Sequence, residues 1–152
     1  MPCRALVTDL ARRLLADGLQ VELEVTGGSM APAIRSHDRV VLEPLDPSGV
    51  RLGDIVAIEP APGRMTIHRV VRWSGEDVVT RGDASAWDDD ATSLATVLAR
   101  VTTIRREGRL QRWGLGPERR VIAWASRLGL LAPVCVRWLR DAPKAPEGRP
   151  KA

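Results

Sequence analysis

Short segments of alternating apolar and polar residues, separated by turn sequences, fill the middle of the chain. The first segment reads QVELEVT from Gln20, and its apolar side chains fall on every second residue. This period of two is typical of a half-buried strand. The turn-forming sequences DPSG, APG, SGED and REG separate the segments that follow. The pattern therefore predicts one β-rich domain of short strands, from about Gln20 to Trp113.

Five further strands and two helices follow from the same patterns. We expect the strands at Asp38–Glu43, Asp54–Glu59, Met65–Trp73, Asp77–Thr80 and Thr96–Arg105. Residues 4–17 carry leucine at every fourth position, which predicts an amphipathic helix, and Gly18 is placed to end it. Pro117 is placed to open a second helix, which we expect to run to about Leu130.

These elements predict a mainly β fold with four parts along the chain. They are an N-terminal helix at 1–19, the β domain at 20–113, a C-terminal helical segment at 114–140 and a tail at 141–152. The tail is rich in proline and polar residues, which predicts disorder. A length of 152 residues is enough for one domain with a core but short for two.

Composition argues against nucleic acid as a partner. The chain has 23 basic and 19 acidic residues, so its net charge is only +4, and the basic residues are scattered. No aromatic residues alternate with them to provide a platform on which bases could stack. We therefore expect no nucleic-acid binding.

The cysteines and the apolar runs argue against several other classes of protein. Cys3 and Cys135 lie near opposite ends and lack the spacing of metal ligands, so we expect no disulfide framework, no metal and no cofactor. No signal-peptide pattern opens the chain, and no apolar run reaches the roughly 18–20 residues that span a bilayer. The sequence favours a protein that is cytoplasmic or peripherally attached to a membrane.

Residues 117–140 are the segment whose sequence is best suited to contact a membrane. Arginines flank an apolar helical stripe there, made by Val121, Trp124, Ala125, Leu128 and Leu131. Such a helix can lie on an anionic membrane surface. A helix packed on its own domain shows the same pattern more often. The sequence leaves this choice, and the oligomeric state, open.

The stretch VTGGSMAPAIRSHDRVVL, from Val25 to Leu42, points to chemistry. An ordinary surface turn would explain its two glycines. It would not explain the apolar Met30 directly after Ser29, or the early return to a strand pattern. A serine that lies between conformationally free glycines and an apolar residue is in one arrangement that can present a nucleophile. We take Ser29 as the candidate nucleophile.

A serine nucleophile needs a base, and the sequence offers few. No lysine occurs before residue 144, which excludes a serine–lysine pair within the β domain. Two histidines remain, His37 and His68. His68 lies within the strand pattern MTIHRVVRW, which gives a base a more rigid mount than the approach to a strand gives His37. A carboxylate should orient the imidazole, and TRGDASAWDDD supplies Asp83, Asp88, Asp89 and Asp90.

Four sequence boxes occur in order between residues 25 and 105: GGSMAPAI, LGDIVAI, IHRVV and TRGDASAWDDD. They resemble the boxes of the S24/S26 superfamily of serine peptidases, which includes type I signal peptidases and LexA-like self-cleaving repressors. Most members use a serine–lysine pair. The chain is most similar to the signal peptidases in which histidine replaces the lysine, and the missing lysine agrees with this.

The resemblance implies a LexA/signal-peptidase-like β domain and a role for each matching residue. Ser29 would be the nucleophile and His68 the general base. Asp83 or Asp89 would orient the imidazole. Gly28 would let the backbone come close to the scissile peptide, Met30 would line the cleft, and the backbone N–H of the nucleophile would contribute to an oxyanion hole. The substrate would bind as an extended strand at a sheet edge.

The chain departs from the family pattern at three places. Gly27 stands where signal peptidases carry a hydroxyl residue that helps the oxyanion hole. The usual Gly-Asp after the serine box reads His37-Asp38, which predicts a less tight turn. Residues 4–17 are too short and too charged to replace the family's N-terminal membrane anchor, so bulk secretory processing is not expected.

The sequence therefore predicts a serine endopeptidase that cleaves a peptide or protein precursor after a small residue, in a dedicated maturation role. The alternative is a catalytically inactive peptidase-like module that binds or regulates. A self-cleaving repressor fragment is disfavoured because 19 residues before the first strand cannot hold a helix-turn-helix. For single residues, structural roles compete: Ser29 in a turn, His68 paired across strands, Asp83 capping its own backbone.

Overall fold

The computed structural model describes residues 2–131, and the side chains of residues 5–46 and 48–131. Cys135, the end of the C-terminal segment and the predicted tail at 141–152 lie outside the described residues. The described part begins with helix α1 (Pro2–Ala16) and ends with helix α2 (Arg119–Arg127). The strands between them are β1 (Val21–Glu24), β2 (Arg39–Pro44), β3 (Ile55–Ala61), β4 (Arg64–Ser74), β5 (Asp77–Arg81), β6 (Val97–Arg106) and β7 (Arg109–Gln111).

All strands belong to one antiparallel sheet with the order β1-β2-β6-β3-β4-β5, and β7 pairs with β6 outside this path. The prediction of a mainly β domain of short strands between an N-terminal and a C-terminal helix is confirmed. Each predicted strand is present, with ends that differ by up to two residues.

Strand β7 was not predicted. Its three residues are too few to show a period of two. The preceding REG sequence was expected to be a turn, and Glu107 and Gly108 adopt φ angles of 50° and 77° there. Two consecutive residues with positive φ form the type I′ turn, whose twist matches that of a hairpin. The turn therefore returns the chain along β6.

Both helices end at a glycine. Gly18 and Gly129 adopt left-handed φ angles of 79° and 72°. In each case the glycine N–H and the next N–H bind carbonyls of the last helical turn: Gly18 to Leu15 and Leu19 to Leu14, Gly129 to Ser126 and Leu130 to Ala125. This is the Schellman arrangement. It confirms Gly18 as the stop of α1, and it ends α2 before the predicted Leu130.

The strands bury apolar side chains on both faces. One cluster centres on Val40, Leu42 and Ile55 and includes Leu15 of α1. A second cluster centres on Val56, Val70 and Val78. Because neighbouring residues of a strand point to opposite faces, Ile55 and Val56 belong to different clusters. The sheet is thus held rigidly between two apolar layers.

Two of the strand edges that stay unpaired among the described residues are important below. β1 pairs on one side only, with β2. The first part of β4, from Arg64 to His68, pairs with β3, whereas β5 joins only from Arg69 onward.

Candidate active site

Three segments bring a serine, a histidine and an aspartate into one hydrogen-bonded row. The Oγ atom of Ser29 lies 3.1 Å from Nε2 of His68. Nδ1 of the same ring lies 2.5 Å from Oδ2 of Asp89. A nucleophile, a base and an orienting carboxylate need this order and these distances.

Ser29 lies on a loop whose next residues are buried in the core. The next residue, Met30, is 3% exposed, and its carbonyl accepts a hydrogen bond from the N–H of Ile34, which is 1% exposed. The peptide bond between Ala31 and Pro32 is cis. The serine itself is exposed. Apolar residues that follow a polar serine thus fix the loop in the core while its hydroxyl stays accessible.

His68 is held by the strand ladder. It pairs with Val56 of β3 and is 8% exposed. The sequence preference for a base on a strand matches this placement. His37, the rival base, is exposed and its Nδ1 lies 2.7 Å from Oε1 of Glu24. The structure therefore brings only one of the two histidines to Ser29.

Asp89 is fixed by Thr80 as well as by the imidazole. Its backbone N–H donates to the carbonyl of Thr80 over 2.9 Å. The Thr80 hydroxyl donates to Oδ2 over 2.7 Å. Burial raises the pKa of Asp89, but the hydrogen bonds from His68 and Thr80 outweigh burial, so the pKa lies below its ordinary value.

The ionised Asp89 decides the tautomer of His68. A carboxylate only accepts hydrogen bonds, so Nδ1 of the neutral ring carries the proton. Nε2 then presents its lone pair to the Ser29 hydroxyl. This is the tautomer that a general base requires.

Asp83, the other candidate for orienting the imidazole, binds elsewhere. Its two carboxylate oxygens accept hydrogen bonds of 2.8 and 2.7 Å from the guanidinium of Arg69. Arg69 also donates to the carbonyls of Gly53 and Gly114, each over 2.9 Å. The pair is buried, with side-chain exposures of 0% and 1%. Asp83 therefore ties β4 to its surroundings, while Asp89 meets His68.

The loop between β5 and Asp89 also supports the serine. The N–H of Ala84 donates to the carbonyl of Ser29 over 2.8 Å. A Cβ atom on Gly82 would lie 2.6 Å from that carbonyl oxygen and 3.1 Å from the Cβ of Ser29. Only glycine fits at this contact. No pattern in the sequence indicated this role of Gly82.

The turn at His37 is tighter than the sequence predicted. His37 adopts a φ of 70°, the left-handed conformation that glycine would take there. Asp38 is buried and binds Arg106 over 2.9 and 2.7 Å and the N–H of Arg35 over 2.8 Å. These bonds hold the turn, so the expectation of a less tight turn was wrong.

The other acidic residues lie outside the row. Asp88 forms an ion pair with Arg72 over 3.1 Å, and Asp90 is exposed. Asp54 is buried, and its Oδ1 lies 3.2 Å from Nη1 of Arg119. Within residues 2–131, no group of three histidine, cysteine, aspartate or glutamate side chains is arranged to bind a metal ion.

A cleft of about 850 Å³ opens beside Ser29. Residues 23–27, at and after the end of β1, and residues 63–67, at the start of β4, form two of its sides. Met30 lines it next to the nucleophile, as the resemblance implied. Helix α1 forms a further side, which no sequence pattern indicated.

The backbone near Ser29 offers a donor for an oxyanion. Within the described part of the chain, no carbonyl accepts a hydrogen bond from the N–H of Ser29. The carbonyl of Gly28 accepts from the N–H of Ala31 over 3.1 Å, which fixes this peptide segment. A backbone N–H held in this way can stabilise charge that develops on a carbonyl oxygen at the serine.

Helix α2 packs with a different face from the stripe seen in the sequence. Its buried residues are Ile122, Ala123 and Ser126. Val121, Trp124 and Leu128 are more than half exposed. Of the two possibilities that the sequence left open for this stripe, packing on its own domain therefore does not hold for these three residues. None of the helices described is long and apolar enough to cross a bilayer.

No model of a known protein family matches the chain, and no curated protein matches it significantly. The assignment of a function to this site therefore depends on its geometry and on the residues themselves.

Proposed function

We propose that the chain is a serine endopeptidase that cleaves an extended peptide through an acyl-enzyme. One observation carries the proposal: the row Ser29–His68–Asp89, with distances of 3.1 and 2.5 Å. Structural histidines often have one polar partner. An exposed serine and a carboxylate of lowered pKa on opposite nitrogens of one ring are the arrangement that nucleophilic catalysis needs.

The chemistry follows from the hydrogen bonds. Nε2 of His68 accepts the hydroxyl proton while Oγ of Ser29 forms a bond to the substrate carbonyl carbon. The charge that develops on the carbonyl oxygen is stabilised by backbone N–H donors, with that of Ser29 as the candidate. The C–N bond then breaks, and the imidazolium returns its proton to the leaving amine. Water repeats the sequence and releases the acid product. Asp89 stabilises the imidazolium in both halves.

The cleft supports a peptide as substrate. β1 and the start of β4 each pair on one side only and both contribute to the cleft, so their other sides can bind the backbone of an extended chain. The resemblance to signal peptidases supports a small residue before the cleaved bond and a precursor protein as the physiological substrate. A serine nucleophile at the side of an open cleft is also accessible to a peptide substrate.

A fluorophosphonate probe tests the nucleophile without knowledge of the substrate. We expect the wild-type protein to be labelled at Ser29, and Ser29→Ala to remain unlabelled while its melting temperature stays within about 2 °C. Mapping peptide N-termini in cells with either protein should then show termini that follow small residues and require Ser29. A folded wild-type protein that is not labelled and changes no terminus would contradict the proposal and favour the inactive binding module.

We also propose peripheral contact with an anionic membrane through α2. The exposed side chains of Val121 and Trp124 lie between the arginines 120 and 127, the exposed Leu128 follows directly, and α2 contains no acidic residue. An apolar face with basic flanks is suited to anionic headgroups. Vesicles with phosphatidylserine should carry the protein in flotation, and Trp124→Ser should reduce this. Equal flotation of both proteins at low salt would refute the role of α2.

A further inference from the structure

Helix α1 lies over the cleft in a fixed position. Thr8 and Ala11 face inward and are 6% and 3% exposed. Nε of Arg12 lies 3.7 Å from Oε2 of Glu59 at the end of β3. At the turn before β4, a Cβ atom on Gly63 would lie 3.6 Å from that of Ala5. The helix is therefore packed against the strands at several places along its length.

The same helix supplies part of the cleft surface. Val7, Thr8 and Ala11 line the cleft opposite the residues of β1 and β4. Val7 is 53% exposed and stands at the rim. Among the described residues, the cleft is thus a channel with sides of two kinds: strand edges that can bind a peptide backbone, and a helix that can contact only its side chains.

The position of the base indicates which part of a peptide lies in this channel. Neither His68 nor Asp89 lines it. The leaving amine must lie at Nε2 of His68 to receive its proton. Because the channel includes Ser29 but not the base, it is assigned to the residues that precede the cleaved bond.

The chemistry of the walls indicates which side chains these are. Most side chains around the channel are apolar: Val7, Ala11, Leu23, Val25, Met30, Met65 and Ile67. The residues on the helix side are short, so they leave room for a branched side chain of the substrate. Methionines adapt their shape to what they contact.

We infer that α1 is part of the substrate site, and that Val7, Thr8 and Ala11 select substrates with large apolar residues several positions before the cleaved bond. This inference depends on the proposed peptidase function. It adds side-chain contacts from a helix to those from the strand residues, whereas main-chain pairing alone does not distinguish side chains.

Two exposed positions of α1 form a matched pair for the test. Val7 and Leu10 are both apolar and are 53% and 59% exposed, but only Val7 lines the cleft. The substrates are two peptides with alanine before the cleaved bond, one with upstream leucines and one with upstream lysines. We expect Val7→Glu to raise KM for the leucine peptide about 10-fold or more, with kcat within about 2-fold. It should improve cleavage of the lysine peptide, and Leu10→Glu should do neither.

Two further measurements keep the outcomes distinct. The rate of labelling by the small fluorophosphonate probe should be the same in both α1 variants and the wild type. A photo-reactive residue introduced at Val7 in the Ser29→Ala protein should cross-link the leucine peptide, whereas one at Leu10 should not. If the probe labels all proteins, the two α1 variants have equal KM values and the two positions cross-link equally, the role of α1 is overturned and the peptidase proposal stands. Failure to label the wild type would overturn the peptidase itself.

Discussion

The half-buried Asp89 and the buried Asp83 should respond differently to the same substitution. Asp89→Asn keeps the size of the side chain but removes the charge that faces the imidazole. A hydrogen bond to a charged group contributes about 1.5–3 kcal/mol, which is about 10- to 150-fold in rate. An amide can also donate to Nδ1 and select the wrong tautomer, which raises the loss toward 10⁴-fold. We therefore expect kcat/KM to fall by about 10² to 10⁴.

Asp83→Asn should mainly cost stability. The guanidinium of Arg69 is fully buried and would lose its counter-charge. Breaking a buried ion pair in this way costs about 3–5 kcal/mol. For a domain of this size, 1 kcal/mol corresponds to about 2–4 °C, so the melting temperature should fall by about 6–20 °C. At a temperature where the variant is folded, labelling of Ser29 should proceed at near the wild-type rate.

Activity and stability are both measured for the wild type, Asp89→Asn and Asp83→Asn. The rate of fluorophosphonate labelling and kcat/KM on a peptide report the site, and thermal unfolding followed by circular dichroism reports stability. Asp89→Asn should unfold within a few degrees of the wild type. The reasoning is refuted if Asp89→Asn retains kcat/KM within about 3-fold, or if Asp83→Asn abolishes labelling without a change in melting temperature.

Three more predictions test what supports the row Ser29–His68–Asp89. Gly82→Ala should reduce labelling about 10²-fold by displacing the nucleophile loop, whereas Gly49→Ala, whose Cβ would meet only the flexible Leu45 side chain, should not; equal rates would refute this. His68→Gln should abolish labelling and His37→Asn should retain it, and the reverse result would exchange their roles. The pKa of Asp89 is lower in the folded than in the unfolded protein, so its carboxylate stabilises the fold at pH values above the unfolded pKa of 3.8. This stabilisation is lost as the pH falls through the folded pKa. In urea unfolding, the stability difference between wild type and Asp89→Asn should therefore shift between pH 5 and 3, and a constant difference would argue against it.

The strand pattern was predictable, and the candidate nucleophile could be proposed, because both depend on local sequence. Alternating side chains predicted every strand of four or more residues, and only β7, with three residues, was too short to detect. Ser29 stood out against an apolar neighbour, and His68 followed by elimination from a short list of bases. Such inferences need only the residues within one segment.

Long-range contacts could not be predicted in the same way. The choice between Asp83 and Asp89 depends on where Arg69 and Thr80 lie, and Arg69 is 14 residues from its partner. The closeness of Gly82 to Ser29, and of α1 to the cleft, arises when distant segments pack. The outward face of α2 also depends on the surface it meets, because both of its faces carry apolar residues.

The adjacency of His68 and Arg69 on β4 makes the register of this strand a condition for activity. A slip by one residue would exchange their faces, placing a permanently charged guanidinium beside Ser29 and burying the imidazole. The hydrogen bonds of Arg69 to Asp83, Gly53 and Gly114 exist only in the observed pairing. The buried ion pair thus penalises the misaligned sheet more than it stabilises the aligned one. An apolar replacement of both partners should keep the melting temperature while doubling the NMR signals of β4, and a single set of signals would contradict this.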